Sequence, residues 1–441
     1  MPGEKKNMIS MAVAASVSLG AIIGAGIFVL SGTALALAGS NALIAFLLVG
    51  AVALAVGLQS GELGALMPTA KGSSYSYAYA AFGSEIGFIT GLMLALCNIA
   101  AISVISLGFG SYLASMVGIQ SSYAIPFAIV LIIALTIVNI FGISKAAKTD
   151  FALVMLKICV LVLFTVAAIW LAIGHNGLSG SISHLGMKVD GLGGIFAASV
   201  VIFFAYSGFQ TINSFTDRVK GGPNAAAKAI VYSVVISIVL YVVVALAMIM
   251  LLPPGAYKVS GDPLSFALKH VGAPRWVFFV VDIGALVATT SASLAMMLRS
   301  SRQIYQMGVD HMLPALTRNY DKSKDVAVNG LIISAVFAIL LLFAGNIYTI
   351  VSISNVGLFI SYLMVSFSVV HFRRAGAKPS FKSPFHPYLS IITIITLLAF
   401  FAGLPTEALI LGITLMLSML IVYYFMRELR GKPPVKVRLF G

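Results

Sequence analysis

Charged residues are few. Asp, Glu, Lys and Arg make up 9% of the 441 residues, against roughly a quarter in soluble domains. So few charges cannot cover a water-facing surface, which excludes an ordinary soluble globular protein. Acidic residues are the scarcer sign, 13 against 27 Lys and Arg. There are two cysteines, Cys97 and Cys159, both inside apolar runs. They give no disulfide framework and no CxxC metal motif, and read as small apolar residues. The six histidines show no HExxH spacing, so no metal site is expected. No GxxxxGK[ST] loop occurs, which disfavours an ATP-driven pump. The apolar runs hold no Ser/His/Asp or paired-carboxylate arrangement. No catalytic residue and no cofactor is therefore expected, and the chain does not read as an enzyme.

What is present is hydrophobicity: 60% of residues are hydrophobic, with a mean hydropathy of +1.06. The apolar residues fall in twelve runs, 8–38, 42–67, 84–112, 123–142, 149–173, 194–216, 227–252, 276–300, 327–344, 346–370, 386–403 and 407–426. A helix of about 20 residues crosses a bilayer, whereas a membrane barrel would show short alternating strands. The reading is an all-α polytopic membrane protein of twelve spans with a single transmembrane domain. With the N-terminus inside and the spans alternating, Lys157 falls within a span. Lys188, Lys258, Lys269 and Arg275 fall outside, and every other Lys and Arg falls inside. This asymmetry is the positive-inside pattern. It predicts cytoplasmic N- and C-termini in a cell (plasma) membrane, with residues 427–441 as a cytoplasmic tail. It also accounts for the net charge of +14 without a nucleic-acid partner. Nothing in the sequence bears on oligomeric state.

Two spans carry interruptions. The first contains Gly20-Ala21-Ile22-Ile23-Gly24-Ala25-Gly26-Ile27-Phe28, with glycines crowding its midpoint. Gly20 and Gly24 also have the four-residue spacing of close helix packing. The sixth span contains Phe203-Phe204-Ala205-Tyr206-Ser207-Gly208-Phe209-Gln210, again near mid-span. Non-helical backbone at membrane depth is tolerated where it lines a cavity or is buried in protein. The two spans are five apart and run in opposite directions, as an inverted repeat of five-helix units requires, and such pairs point to a transport site. Free N–H groups at a half-helix start attract a carboxylate, and free carbonyls at a half-helix end accept from an ammonium. An α-amino acid carries both on one carbon. Gly24, Ala25 and Gly26 are placed to supply the N–H groups, and Ile22, Ile23, Phe204, Ala205 and Ser207 the carbonyls, with Tyr206 in the same stretch.

The Gly20–Phe28 and Phe204–Phe209 stretches resemble the first- and sixth-helix motifs of the APC (amino acid–polyamine–organocation) superfamily of amino acid permeases. Glu62 through Pro68, followed by Lys71-Gly72-Ser73-Ser74-Tyr75-Ser76-Tyr77, is similar to the family's second-helix exit and re-entrant loop. Ser301-Arg302-Gln303-Ile304-Tyr305-Gln306-Met307, then Asp310, Leu313 and Pro314, resembles the end of its eighth helix. The wording of Gly72–Tyr77 is closest to the cationic amino acid transporter branch. Gln210 departs from the acidic residue or Asn of many relatives. The resemblance implies a LeuT-type fold, with repeats at 8–173 and 194–370 and two extra helices at 386–426. It also implies an amino acid bound between the first, third, sixth, eighth and tenth helices. The favoured reading is secondary active, proton-coupled transport of neutral L-amino acids, with a cationic amino acid or polyamine carrier, or an amino acid exchanger, as the alternative.

One charge lies at mid-span. Lys157 sits in Val154-Met155-Leu156-Lys157-Ile158-Cys159-Val160, where a lysine costs roughly 3 kcal/mol on insertion scales. It must face the protein interior or water, either as a group that gains and loses a proton or as a fixed structural cation. The resemblance adds that some proton-coupled relatives hold a fifth-helix lysine where sodium-coupled ones hold the ion. Its implied partners are the carbonyls of Gly20 and Ile23 and the hydroxyls of Thr290 and Ser291, although such hydroxyls also bond their own helix. Protons are thus the expected coupling partner. Among the other polar residues, Glu62 reads as a gate or anchor. Asp282 reads as a vestibule charge or an attractor for cations, and Asn98 as a pocket residue or a bond to a neighbouring helix.

Overall fold

The protein is described by a computed structural model covering residues 8–68, 74–141, 147–187, 191–321 and 323–430. Of the sequence expectations, Lys71–Ser73, the Ala25 side chain and the tail from 431 lie outside the described residues. The chain runs through α1 (Met11–Ile22), α2 (Ala25–Ala38), α3 (Ala42–Leu66), α4 (Ser74–Phe82), α5 (Ser84–Val117), α6 (Ala124–Ile140), α7 (Ala147–Ser183) and α8 (Gly191–Tyr206). It continues through α9 (Gly222–Leu251), α10 (Pro263–His270), α11 (Arg275–Val309), α12 (Val328–Leu341), α13 (Ile347–Arg374), α14 (Tyr388–Phe401) and α15 (Thr406–Arg430). Helix is favoured throughout because each apolar run satisfies its own backbone hydrogen bonds, the only open-chain solution in lipid.

Among the described residues nine helices are long and apolar enough to cross a membrane: α3, α5, α6, α7, α8, α9, α11, α13 and α15. The pair α1 and α2 adds a tenth span, bent by 44°. α12 and α14 are apolar but have 14 residues each, about 21 Å of helix against a hydrocarbon core of about 30 Å. Large apolar side chains stand on the outside, among them Val130, Val166, Trp170, Leu340 and Ile421. An exposed apolar wall of that extent fits lipid and not water. The chain is a polytopic, all-helical membrane protein.

α5 and α13 are enclosed along most of their length, whereas α6 and α15 turn largely outward. α5 packs between α11 and α13, α2 lies on α8, and α1 lies on α9 and α7. Phe203 of α8 anchors one side of the core, with its ring centroid 5.0 Å from Phe359, 5.6 Å from Tyr362 and 5.7 Å from Phe400.

Both glycine-marked stretches leave the helix. Between α1 and α2 the backbone passes through Ile23 (φ −76°, ψ 68°) and Gly24 (φ −111°, ψ −129°). α8 ends at Tyr206, and Gly208 at φ +114° turns the chain into tight three-ten turns over Phe209–Arg218. That conformation favours glycine, and a Cβ there would sit 2.8 Å from Ala21 O. The second interruption therefore falls at Ser207–Gly208, slightly later than the Phe204–Ser207 expectation. The aromatic packing of Phe203 keeps the preceding residues helical, and Gly208 is the position able to make the turn.

Candidate functional site

The two interruptions meet. A Cβ on Gly26 would lie 2.4 Å from the Cα of Ala205, so only the absence of a side chain lets α2 start against the end of α8. Gly24 is equally close to α11, with 2.8 Å to the Ala292 Cβ, and Gly20 to α7, with 2.5 Å to a Val154 methyl. These glycines do serve close packing, and the packing brings the ends of four helix segments to one place.

Backbone groups face one another there. α1 ends at Ile22, and its last carbonyls have no helical partners beyond the turn. The hydroxyl of Tyr241, on α9, reaches both interruptions: it lies 2.8 Å from Ile22 O and 3.1 Å from Ala205 O. A phenol has one hydrogen to donate, so Ile22 O and Ala205 O share that donor. Beside them starts α2, whose N-terminus at Gly24 has no side-chain cap. Gly24 N itself donates to Ile22 O at 2.8 Å. The following N–H groups of the first turn lie at the positive pole of a helix. The carbonyl end of α1 beside the N-terminus of α2 sets opposite partial charges side by side, which makes this junction the candidate cradle for a group bearing both an ammonium and a carboxylate.

The other residues singled out in the sequence are placed as follows. Phe204 O accepts from Ser207 N at 3.0 Å, so it is already engaged. Tyr206 turns to α3, where its hydroxyl donates to Phe46 O at 3.2 Å; its side chain belongs to packing rather than to the cradle. Lys157 is 3% exposed and donates to Gly20 O at 3.1 Å, placing a cation at the negative pole of α1. Ser291 donates to Ala288 O of its own helix at 3.1 Å, and Thr290 is half-buried beside it. Asn98, on α5, is 3% exposed, and its amide nitrogen has no acceptor among the described residues. Asp282 is fully buried, 3.9 Å from the Lys269 ammonium of α10, which also donates to Ser115 O at 2.6 Å. It sits with α10 rather than in an open vestibule. Gln210 accepts from Ser74 of α4 at 3.0 Å. Glu62 is an anchor: it takes Arg373 Nε at 2.5 Å and Nη2 at 2.9 Å, and the Ser383 amide at 2.8 Å.

Two side chains at the site were not drawn from the sequence. Tyr241 stands in an uninterrupted apolar run, where a tyrosine reads as packing. Arg299 was legible only as one of the inner-side charges, yet it bonds Thr211 just beyond the second interruption. A cation within the last turns of a span, above the basic fringe, was the available signal.

Comparison with known proteins gives the family. The chain is 27% identical over 439 residues to the branched-chain amino acid permease of Bacillus subtilis, covering 94% of this chain and 91% of that one. It is also 27% identical over 412 residues to the methylthioribose transporter of the same organism, covering 88% and 86%. To the vacuolar cationic amino acid transporter 4 of Arabidopsis thaliana it is 28% identical over 389 residues, covering 84% and 64%. Residues 9–426 match the amino acid permease family over nearly their whole length, and the chain belongs to that family, within the APC superfamily.

Proposed function

We propose that this chain is a secondary active transporter that carries neutral L-amino acids with protons by alternating access, on a five-plus-five inverted repeat with two extra helices. The repeats are 8–173 and 194–370, and the extra helices lie in 386–426. α12 and α14, lengthened by their flanking turns, complete twelve spans, with both termini on the cytoplasmic face of the cell membrane. The observation that carries the reading is the Tyr241 hydroxyl shared between Ile22 O and Ala205 O, beside the uncapped start of α2. In this reading a substrate ammonium competes with the Tyr241 hydroxyl for these carbonyls, and its carboxylate takes the α2 N–H groups. Because backbone groups read the common end of the substrate, the surrounding side chains set preference. A branched-chain permease among the relatives supports a medium apolar side chain.

The cationic or polyamine alternative needs a carboxylate beside the cradle. Asp282, the residue considered for it, is buried beside Lys269. Lys157 is the proposed coupling group. Protonated, it ties α7 to Gly20 O; on losing the proton it releases the end of α1, so the inner side can open. An ammonium there makes sodium unnecessary.

The test is uptake by purified protein in sodium-free liposomes, over a panel of labelled amino acids and putrescine, with and without an imposed proton gradient. Accumulation of leucine-sized neutral substrates driven by the gradient is expected. Lys157→Ala abolishes that accumulation, and Lys157→Arg does too, because a guanidinium keeps its proton. Gradient-driven accumulation by Lys157→Ala sinks the coupling role. Preference for putrescine, which has no carboxylate, sinks the bipolar cradle.

A further inference from the structure

The proposed function leaves a half-buried cation of α11 without a task. Arg299 lies on α11, and its guanidinium donates to the Thr211 hydroxyl, which donates in turn to Gly208 O at 2.6 Å. The positive charge is thus two hydrogen bonds from the second interruption. It is also close to the first. Ala292 of α11 touches Gly24, and Arg299 is seven residues further along the same helix, two turns or about 10 Å. Residues seven apart share a helix face, and helical side chains tilt back toward the N-terminus, so the guanidinium reaches toward the cradle. Among the described residues no carboxylate forms an ion pair with it; the ion pairs there are Lys269–Asp282, Arg302–Asp325, Lys324–Asp321 and Arg373–Glu62. Its titratable neighbours are Cys97 of α5 and Tyr362 of α13. A cation between α5, α11, α13 and the segment beyond Gly208, with no ion-pair partner among the described residues, directs its field at the junction of those elements.

We infer that Arg299 is a charge filter: it excludes substrates whose side chain carries a cation, and so sets this chain apart from carriers of lysine, arginine or polyamines. The filter works by repulsion. Solvent screening is reduced at a half-buried group, so like charges within about 10 Å still discriminate, by about 1–2 kcal/mol at an effective dielectric of about 20. A neutral side chain of equal length passes, because nothing in the filter is steric. This deepens the proposed function and rests on it.

Lysine and norleucine test it, since they differ by the terminal ammonium at nearly equal length. In detergent-solubilised full-length protein, displacement of bound labelled leucine by each compound gives the ratio of their affinities. The wild type should prefer norleucine by at least about tenfold, or about 1.4 kcal/mol. Arg299→Gln should bring the two within about threefold. Arg299→Lys should restore the preference, because it keeps the charge while changing the fork that meets Thr211. Failure of the wild type to bind norleucine sinks the proposed function itself. Equal binding of norleucine and lysine by the wild type sinks only the filter. So does an Arg299→Gln protein that binds norleucine and still rejects lysine. If the Gln variant does not fold, Arg299→His reads the same effect within one protein. Its lysine-to-norleucine ratio should rise as pH goes from about 5.5 to 8, since lysine stays charged throughout while imidazole loses its charge. A flat ratio overturns the inference.

Discussion

Tyr241 shows how much can depend on one proton. Its hydroxyl spans Ile22 O and Ala205 O, and its loss takes a donor from both, leaving Ile22 O with Gly24 N, at about 1–3 kcal/mol. Tyr241→Phe should therefore lower the melting temperature of the substrate-free protein. Leucine should recover part of the loss, because its ammonium becomes the donor that the phenol was. Thermal unfolding of wild type and variant, each with and without saturating leucine, measures this. An equal fall in both conditions contradicts the shared donor. The glycines of this site were legible in the sequence because a glycine cluster in an apolar run has few other uses. Tyr241 was not, because a hydroxyl acquires meaning only from the carbonyls that tertiary packing brings to it. Lys157 was legible for the opposite reason: a charge at mid-span demands a partner, whichever helix provides it.

At the scale of elements, the apolar runs foretold the helices well, since length and hydrophobicity act locally. The second interruption was displaced because Phe203 holds the end of α8 against Phe359, Tyr362 and Phe400, contacts that come from distant helices. The basic-end clamp is a similar long-range product. Glu62 closes α3 onto α13 through Arg373 and onto the segment between α13 and α14 through Ser383, whose hydroxyl donates at 2.5 Å. With the Glu62 side chain 3% exposed and that of Arg373 19% exposed, removing one partner strands a charge. Glu62→Ala should cost about 3–5 kcal/mol. The double variant Glu62→Ala/Arg373→Met should cost less than the single one, because the orphaned guanidinium is gone. Melting curves of the three proteins decide it, and additive losses would mean the pair is not energetically coupled.

On the scale of the whole molecule, the interrupted segments lock into one another. Gly26 seats on Ala205, Gly208 seats on Ala21, and Tyr241 fastens both from α9. Neither interruption can hinge by itself without opening a gap at the other. On the proposed function, the four pieces on either side of the breaks are expected to move together against α5, α11 and α13. The separation of spin labels placed on α2 and α8 should stay constant when substrate is added, while that between α2 and α13 should change. A variable α2–α8 distance would mean the breaks are two independent joints. If the labels behave so, a single moving part would grip the cargo on both sides throughout its passage, and release would come from what the surrounding helices uncover, not from a loosening of the grip.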